Sequence, residues 1–434
     1  MTRRPQRTPS TQSSNTSTTD TPSAEPIGKP VFSQPEPTAD PSRFKIAHGS
    51  DSAAYQSIDA LNREHKLRPM PFPPPRGLPE PRLTLAQVLA RDDLDAKIAA
   101  AGQIVFHAVG DTGNTRGPAS QNLVADKLAS DFQEHEPKEI PWFFFHLGDV
   151  IYSFGEAKYY YDQFYEPYRE YPAPILALAG NHDGMVAPDT DATTLAAFLD
   201  NFCQAEFAVT PEAGGLSRTA QIQPGVFFTF EAPFIRILVL YSNTLEDPGV
   251  IAGDDLGTSQ LDYLKAALSR VKAENYQGAL IIAHHHPAFT AGGKHGWSTD
   301  MLAQIDRICA DTGVWPHAVL SAHAHNYQRF TRGQGTTQIP YIIAGNGGHG
   351  IAPLSRRGEV PPRVPMVIQP AGKGTDQVVL ESYDDQDYGY LRLVVTATQL
   401  RIEYHPATDG AAAKTPDDSV TVDLSSRILV HFTG

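Results

Sequence analysis

The chain has 434 residues, 41% of them hydrophobic and 19% charged; this excludes fibrous and collagen-like classes and leaves one large α/β domain with appendages, or two domains. Its formal charge of −14 excludes a general surface for nucleic acid or anionic membrane, because attraction to a phosphate backbone needs a positive field. A small anionic substrate can still bind through local metal charge.

The opening MTRRPQR is followed by Ser, Thr, Pro and Gln and not by an apolar stretch, so export through a twin-arginine signal is not expected. No run approaches the roughly 18 apolar residues of a membrane span. A cytoplasmic protein with no membrane partner and no nucleic-acid scaffold is the expectation. Cys203 and Cys309 are too few for a disulfide framework and sit in apolar segments, as reduced core thiols do.

Residues 1–44 are rich in Ser, Thr and Pro and nearly lack large apolar side chains, so they read as a disordered tail. Residues 45–101 read as a proline-rich wrapping segment centred on PMPFPPPRGLPEP (69–81), followed by a lead-in helix over 83–101. The main domain is expected over 102–434. There the pattern predicts a strand over 103–109 ending in GDTG, a helix over 120–135, a strand over 142–147 ending in GDVIY, and a strand over 174–179 ending in GNHD.

Three times an apolar strand runs into a Gly and a possible metal ligand, which is where open α/β sheets bind ligands. Paired strands follow over 226–231 and 234–241, a helix over 258–273, and strands over 279–283 and 318–321 that feed HHHP and AHAH. The strand-rich C-terminal part is expected to complete a second sheet packed on the first.

These pieces carry chemistry of unequal specificity. Asp111 in GDTG is weak alone, since Asp is a common turn and cap residue. Asp149 closes a broad apolar strand that would ordinarily end in a neutral turn, and it suits a bridging carboxylate. Asn181 can offer its carbonyl oxygen to a metal and its amide to a phosphate, and His182 can reach a leaving-group oxygen as general acid. Asp183 either orients His182 or caps the next helix, with the cap preferred. Alternation along HHHP sets His284 and His286 against His285, whereas His323 and His325, two apart, leave one face as a metal clamp. His107 and His146, inside apolar strands, read as core histidines. Tyr159, Tyr160 and Tyr161 read as a helix packed beside the site.

As an ordered set the pieces resemble the calcineurin-like metallophosphoesterases, over about residues 104–405. The resemblance implies a four-layer α/β/β/α sandwich with two mixed β-sheets and a dimetal site at strand C-terminal ends. Many members carry Asp-x-His in the first motif; here the third position is Gly113, and Tyr152 stands three residues after Asp149, as in the purple acid phosphatase type. A phenolate is a hard anionic donor suited to Fe(III).

The resemblance then implies Asp111, Asp149, Tyr152 and His325 on the first metal and Asp149, Asn181, His285 and His323 on the second. It implies Fe(III) paired with Fe(II), Zn or Mn. His295 in KHGW resembles a histidine set against the substrate phosphate, with a solvated loop histidine as the alternative. The glycines of GNGGHG (345–350) resemble a family loop that forms a tight turn, with His349 near the site.

The reading is a phosphatase that hydrolyses monoesters of a small phosphorylated substrate, without a covalent enzyme intermediate, by a metal-held hydroxide attacking phosphorus. Asp149, Asn181 and His182 are its catalytic residues; Asn181, His182 and His295 face the substrate. A phosphodiesterase acting on nucleotides or phospholipid head groups, a protein phosphatase, and a non-catalytic metal-binding interaction protein are the alternatives.

Overall fold

The computed structural model describes residues 25–33, 49–133, 136–188, 191–214, 218–292, 294–355, 358–369 and 376–433. Two large sheets dominate. The seven-stranded sheet runs Leu429–Val430, Asp418–Asp423, Gln399–Pro406, Gly389–Thr396, Gln103–Val109, Phe144–His146 and Ile175–Ala177. The nine-stranded sheet runs Met366–Gln369, Gln377–Asp384, Tyr327–Gln334, Thr337–Ala344, Ala318–Ser321, Ala279–Ala283, Ile235–Val239, Phe228–Ala232 and Arg82–Thr84.

Alternation along each central strand sends one set of side chains between the sheets and the other toward helices. Ile104, Phe106 and Ala108 join Ala279, Ile281, Leu320 and Ile342 in the inner core, whereas Val109, Leu280 and Ile282 face outward. Phe143 links the sheets, stacked on Phe106 at 4.6 Å and edge-on to Phe230 at 4.9 Å. A fully buried aromatic is worth about 1.5–3 kcal/mol, against at most about 1 kcal/mol for an exposed ion pair, so apolar burial holds the layers together.

The helices Ser259–Ala273 and Thr299–Thr312 pack against each other and place Leu264, Leu268 and Ile305 in the outer core with Leu280 and Ile282. Helix Ala119–Ser130 places Val124 and Leu128 there with Val109 and Phe144. The result is the four-layer α/β/β/α sandwich with two mixed sheets.

Two expectations need correction. The C-terminal strands do not build a separate sheet: Gly389–Thr396 pairs antiparallel with Gln103–Val109 and extends the sheet that begins the domain, while the middle of the chain makes the other. Alternation tells which face is buried and not which strand is the neighbour. The lead-in helix is broken into Arg82–Thr84, Leu85–Leu89 and Leu94–Ala101, because a Thr84–Gln87 capping box starts a helix that stops at Ala90 in the left-handed region. The tail expectation lies outside the described residues except at 25–33, where Glu25–Pro26 pairs with Ala208–Val209.

Within 45–101, Gly49–Arg63 is helical, and Ala54, Tyr55 and Ile58 lie on one face against the outer core. The proline-rich stretch then follows the body through polar anchors: Met70 exchanges two hydrogen bonds with the Asn243 side chain, and Arg76 donates to the carbonyls of Cys203, Gln204 and Gln223. Both cysteines are buried and free. Among the described residues no helix is long and apolar enough to cross a membrane.

Candidate metal centre

The parallel strands of both sheets end on one side of the sandwich, and each end delivers part of one cluster. Asp111 follows Gln103–Val109, Asp149 follows Phe144–His146, and Asn181 follows Ile175–Ala177. His285 follows Ala279–Ala283, and His323 and His325 follow Ala318–Ser321. Asp111, Asp149, His323 and His325 all adopt left-handed backbone angles, with φ of 55°, 53°, 68° and 54°. Each costs about 1–2 kcal/mol in a residue with a Cβ, a strain that packing sustains where side chains must turn into one place.

The two carboxylates are built alike. Asp111 Oδ2 accepts the His323 N–H at 2.6 Å, which leaves Oδ1 toward Tyr152 Oη at 2.8 Å and His325 Nε2 at 3.4 Å. Asp149 Oδ1 accepts the His182 N–H at 2.9 Å, which leaves Oδ2 toward the same Tyr152 Oη at 2.8 Å and His285 Nε2 at 3.2 Å. In each case one oxygen anchors and the other is presented. His285 Nδ1 donates to the Leu147 carbonyl at 2.8 Å, so Nε2 presents a lone pair, the arrangement of a histidine that ligates metal.

Six of the seven residues expected at a metal, Asp111, Asp149, Tyr152, His285, His323 and His325, therefore converge, and all seven are buried. Asn181 Oδ1 and Nδ2 and both ring nitrogens of His323 are buried without a hydrogen-bond partner. Such groups cost about 1–3 kcal/mol each unless something takes their lone pairs. Asp149, His285 and His323 bring their donor atoms within 4.8 Å of one another. Oxygen and imidazole donors around two buried carboxylates fit a pair of cations.

The electrostatics point the same way. Burial opposes charge on His285, yet the carboxylates of Asp149 and Asp111 raise it to about 10, so this cluster attracts positive charge. Burial, then Asp111 and Asp149, push the Tyr152 hydroxyl well above its usual range, so a phenolate there needs a strongly charged cation beside it.

The match to known families decides what this cluster is: the calcineurin-like phosphoesterase profile covers residues 104–327. The chain belongs to the calcineurin-like phosphoesterase family. As a calcineurin-like phosphoesterase it carries a dimetal site and the hydrolysis of phosphate esters as its general chemistry. A sequence search of curated proteins finds no match. Among solved structures the fold is similar to that of GAP50, described as the anchor in the inner membrane complex of Plasmodium, with TM-score 0.50 and 13% identity over 75% of this chain and 91% of that one. PhoD is matched with TM-score 0.45 and 14% identity, over 76% of this chain and 71% of that one.

In this phosphoesterase the departure at Gly113 has a steric cause. A Cβ there would stand 2.5 Å from Gln163 Oε1 and 2.6 Å from the Val150 carbonyl. Gln163 uses that space to bracket Tyr152, accepting its N–H at 2.8 Å and donating to its carbonyl at 2.7 Å. A histidine at 113 and this setting of Tyr152 are mutually exclusive.

The other histidines sort cleanly. His107 contacts Asp131 at 3.0 Å and Tyr171 at 3.1 Å, and His146 contacts Thr112 at 2.8 Å, as core residues. His284 Nδ1 donates to the His286 carbonyl, while His286 is held by Ser242 Oγ at 2.7 Å and the Leu245 carbonyl at 2.8 Å. Asp183 accepts from Gly180 and Val150 backbone N–H groups, the capping role. Tyr159 to Tyr161 lie where the 3-10 turn Ala157–Tyr159 runs into the π-helix Tyr161–Tyr165, and they are buried in the outer core.

The solvated alternative for His295 fails, since the residue is 6% exposed and its ring lies 4.1 Å from that of His323. The glycine loop does more than turn: the His349 N–H donates to the Asp111 carbonyl, and its ring stacks on Tyr152 at 3.5 Å.

Sequence reasoning missed Glu246, Asp247 and Tyr55. Glu246 is buried, 3.4 Å from His182 Nε2, and Asp247 lies 3.5 Å from His295 and 3.8 Å from His323. The available signal was the run LVLYSNTLED, a buried strand that leads into two acids just as the recognised motifs do.

Gly180 supplies a test. A Cβ at this position would fall 2.1 Å from Asp149 Oδ1, so Gly180→Ala must displace that carboxylate. A folded variant with at least about tenfold weaker Mn²⁺ affinity by calorimetry is expected, the scale of disturbed ligand support; wild-type affinity would remove Asp149 from the metal centre.

Proposed function

We propose that this calcineurin-like phosphoesterase is a phosphomonoesterase acting on small phosphorylated substrates. The observation that carries the reading is the cavity over the donor cluster, about 330 Å³, lined by Asp149, Tyr152, His182, His295, His323 and His325 and bounded by Tyr55 and Gln56 of the N-terminal helix. Its mouth holds Lys294 and Arg116, both exposed, and neither is in an ion pair among the described residues. A monoester carries more charge and less bulk than a diester, and a cavity walled on one side with cations at the mouth suits it.

Asp111, Asp149, Tyr152 and His325 would hold one cation, and Asp149, Asn181, His285 and His323 the other. When bound, the pair supplies positive charge to the phosphoryl oxygens and lowers the pKa of the attacking water. Asn181 Nδ2, unpartnered and buried, would donate to a phosphoryl oxygen, with His295 on the other side. His182 Nδ1 donates to the Ser153 carbonyl at 2.7 Å, which turns Nε2 toward the site to pass a proton to the leaving oxygen.

The first test is hydrolysis of 4-nitrophenyl phosphate beside bis(4-nitrophenyl) phosphate, with iron or manganese loaded. Faster monoester cleavage is expected, absent from Asp149→Ala; faster diester cleavage would replace the proposal with a phosphodiesterase.

We infer further that the Tyr152 site takes Fe(III), since a hydroxyl pushed so far up is deprotonated only by a highly charged hard cation. Iron-loaded protein should be coloured by phenolate-to-iron charge transfer, and Tyr152→Phe should be colourless. A colourless, active iron-loaded wild type would reject iron at Tyr152.

A further inference from the structure

Glu246 sits where three chain segments meet at the cavity. It is 4% exposed, on the loop after strand Ile235–Val239. Its Oε1 accepts the hydroxyl of Tyr55 at 2.5 Å and faces His182 Nε2 at 3.4 Å, and its Oε2 faces His295 Nδ1 at 3.9 Å. The Tyr55 ring lies 5.2 Å from that of His182. The loop is itself pinned: His286 grips Ser242 and the Leu245 carbonyl, and Asn243, with φ of 67°, exchanges hydrogen bonds with Met70.

We propose that Glu246, clamped by Tyr55 of the N-terminal helix, is a positioning residue that aims His182 at the leaving group, so that the helix Gly49–Arg63 is a working wall of the active site. The inference rests on the phosphomonoesterase reading and adds to it an origin for the orientation of the acid. His182 is held at one nitrogen by Ser153, and an imidazole fixed at one point still swings about that bond. A carboxylate 3.4 Å from the opposite nitrogen supplies the second point through its charge, at a distance that leaves the Nε2 proton for the leaving oxygen.

Glu246, His295 and His323 also bring donor atoms within 4.8 Å of one another, which raises the alternative of a cation held by Glu246. The Tyr55 hydroxyl already on Oε1 and His182 beside it argue for positioning. The two roles separate experimentally, because a ligand's loss lowers metal content and a positioning residue's loss does not.

The test compares wild type, Glu246→Gln and Tyr55→Phe in the full-length, metal-loaded protein on two monoesters, 4-nitrophenyl phosphate and ethyl phosphate. The nitrophenolate leaves with little help from an acid, whereas ethoxide needs a proton. The kcat ratio of the first substrate to the second should rise about tenfold or more in Glu246→Gln, within the range of a general acid's contribution, and in the same direction but less in Tyr55→Phe, with metal content equal to wild type.

An equal loss on both substrates, an unchanged ratio, or a fall in bound metal would overturn the proposal. Tyr55→Phe, which removes one oxygen, keeps the test decisive if Glu246→Gln does not fold. A wild type that cleaves neither monoester would instead sink the phosphomonoesterase reading, and this inference with it.

Discussion

Asp111 and Asp149, both fully buried, present one oxygen each to the same small volume, within 2.8 Å of a single phenol oxygen. Two like charges that each touch the same phenol oxygen repel by roughly 3 kcal/mol at an effective dielectric of about 20, and removal from water costs several kcal/mol per ion besides. Backbone N–H groups satisfy the anchoring oxygens, and the presented ones share one phenol hydroxyl and the rings of His285 and His325. Such a site is stable only with positive charge in its centre, and the rest of the architecture is arranged around supplying a place for it.

The sandwich makes that placement possible by ending its parallel strands on one side. Donors far apart in the chain then arrive from neighbouring strand ends, and the apolar layer between the sheets fixes the strands that carry them. The left-handed turns at Asp111, Asp149, His323 and His325 are the local cost of turning those side chains inward. Gly113 and Gln163 show the same economy of space, since an absent side chain at one position lets a glutamine hold Tyr152 against the two carboxylates.

The donor cluster was legible in the sequence because every donor but Tyr152 sits within four residues of an apolar strand's end, and short-range patterns survive in one dimension. Selection of His285 among three histidines came only through resemblance, and its physical basis appears in three dimensions: His286 has both ring nitrogens occupied and His284 is tied to its neighbour. The partition of strands between sheets was not legible, because alternation reports burial and not partnership. Nor was the contact of Glu246 with Tyr55, which spans 191 positions and joins a loop to a helix in a segment that composition marked only as wrapping. Long-range polar contacts of that kind leave no period in the sequence.

The most direct measurement is the number of cations bound by chelator-stripped protein, counted by calorimetric titration with Mn²⁺ and by elemental analysis after desalting. Two ions per chain, with a rise in unfolding temperature as they bind, are expected from two buried carboxylates that face one volume and the unpartnered donors around them. One ion or none, with no change in unfolding temperature, would contradict a dimetal centre built on Asp111 and Asp149.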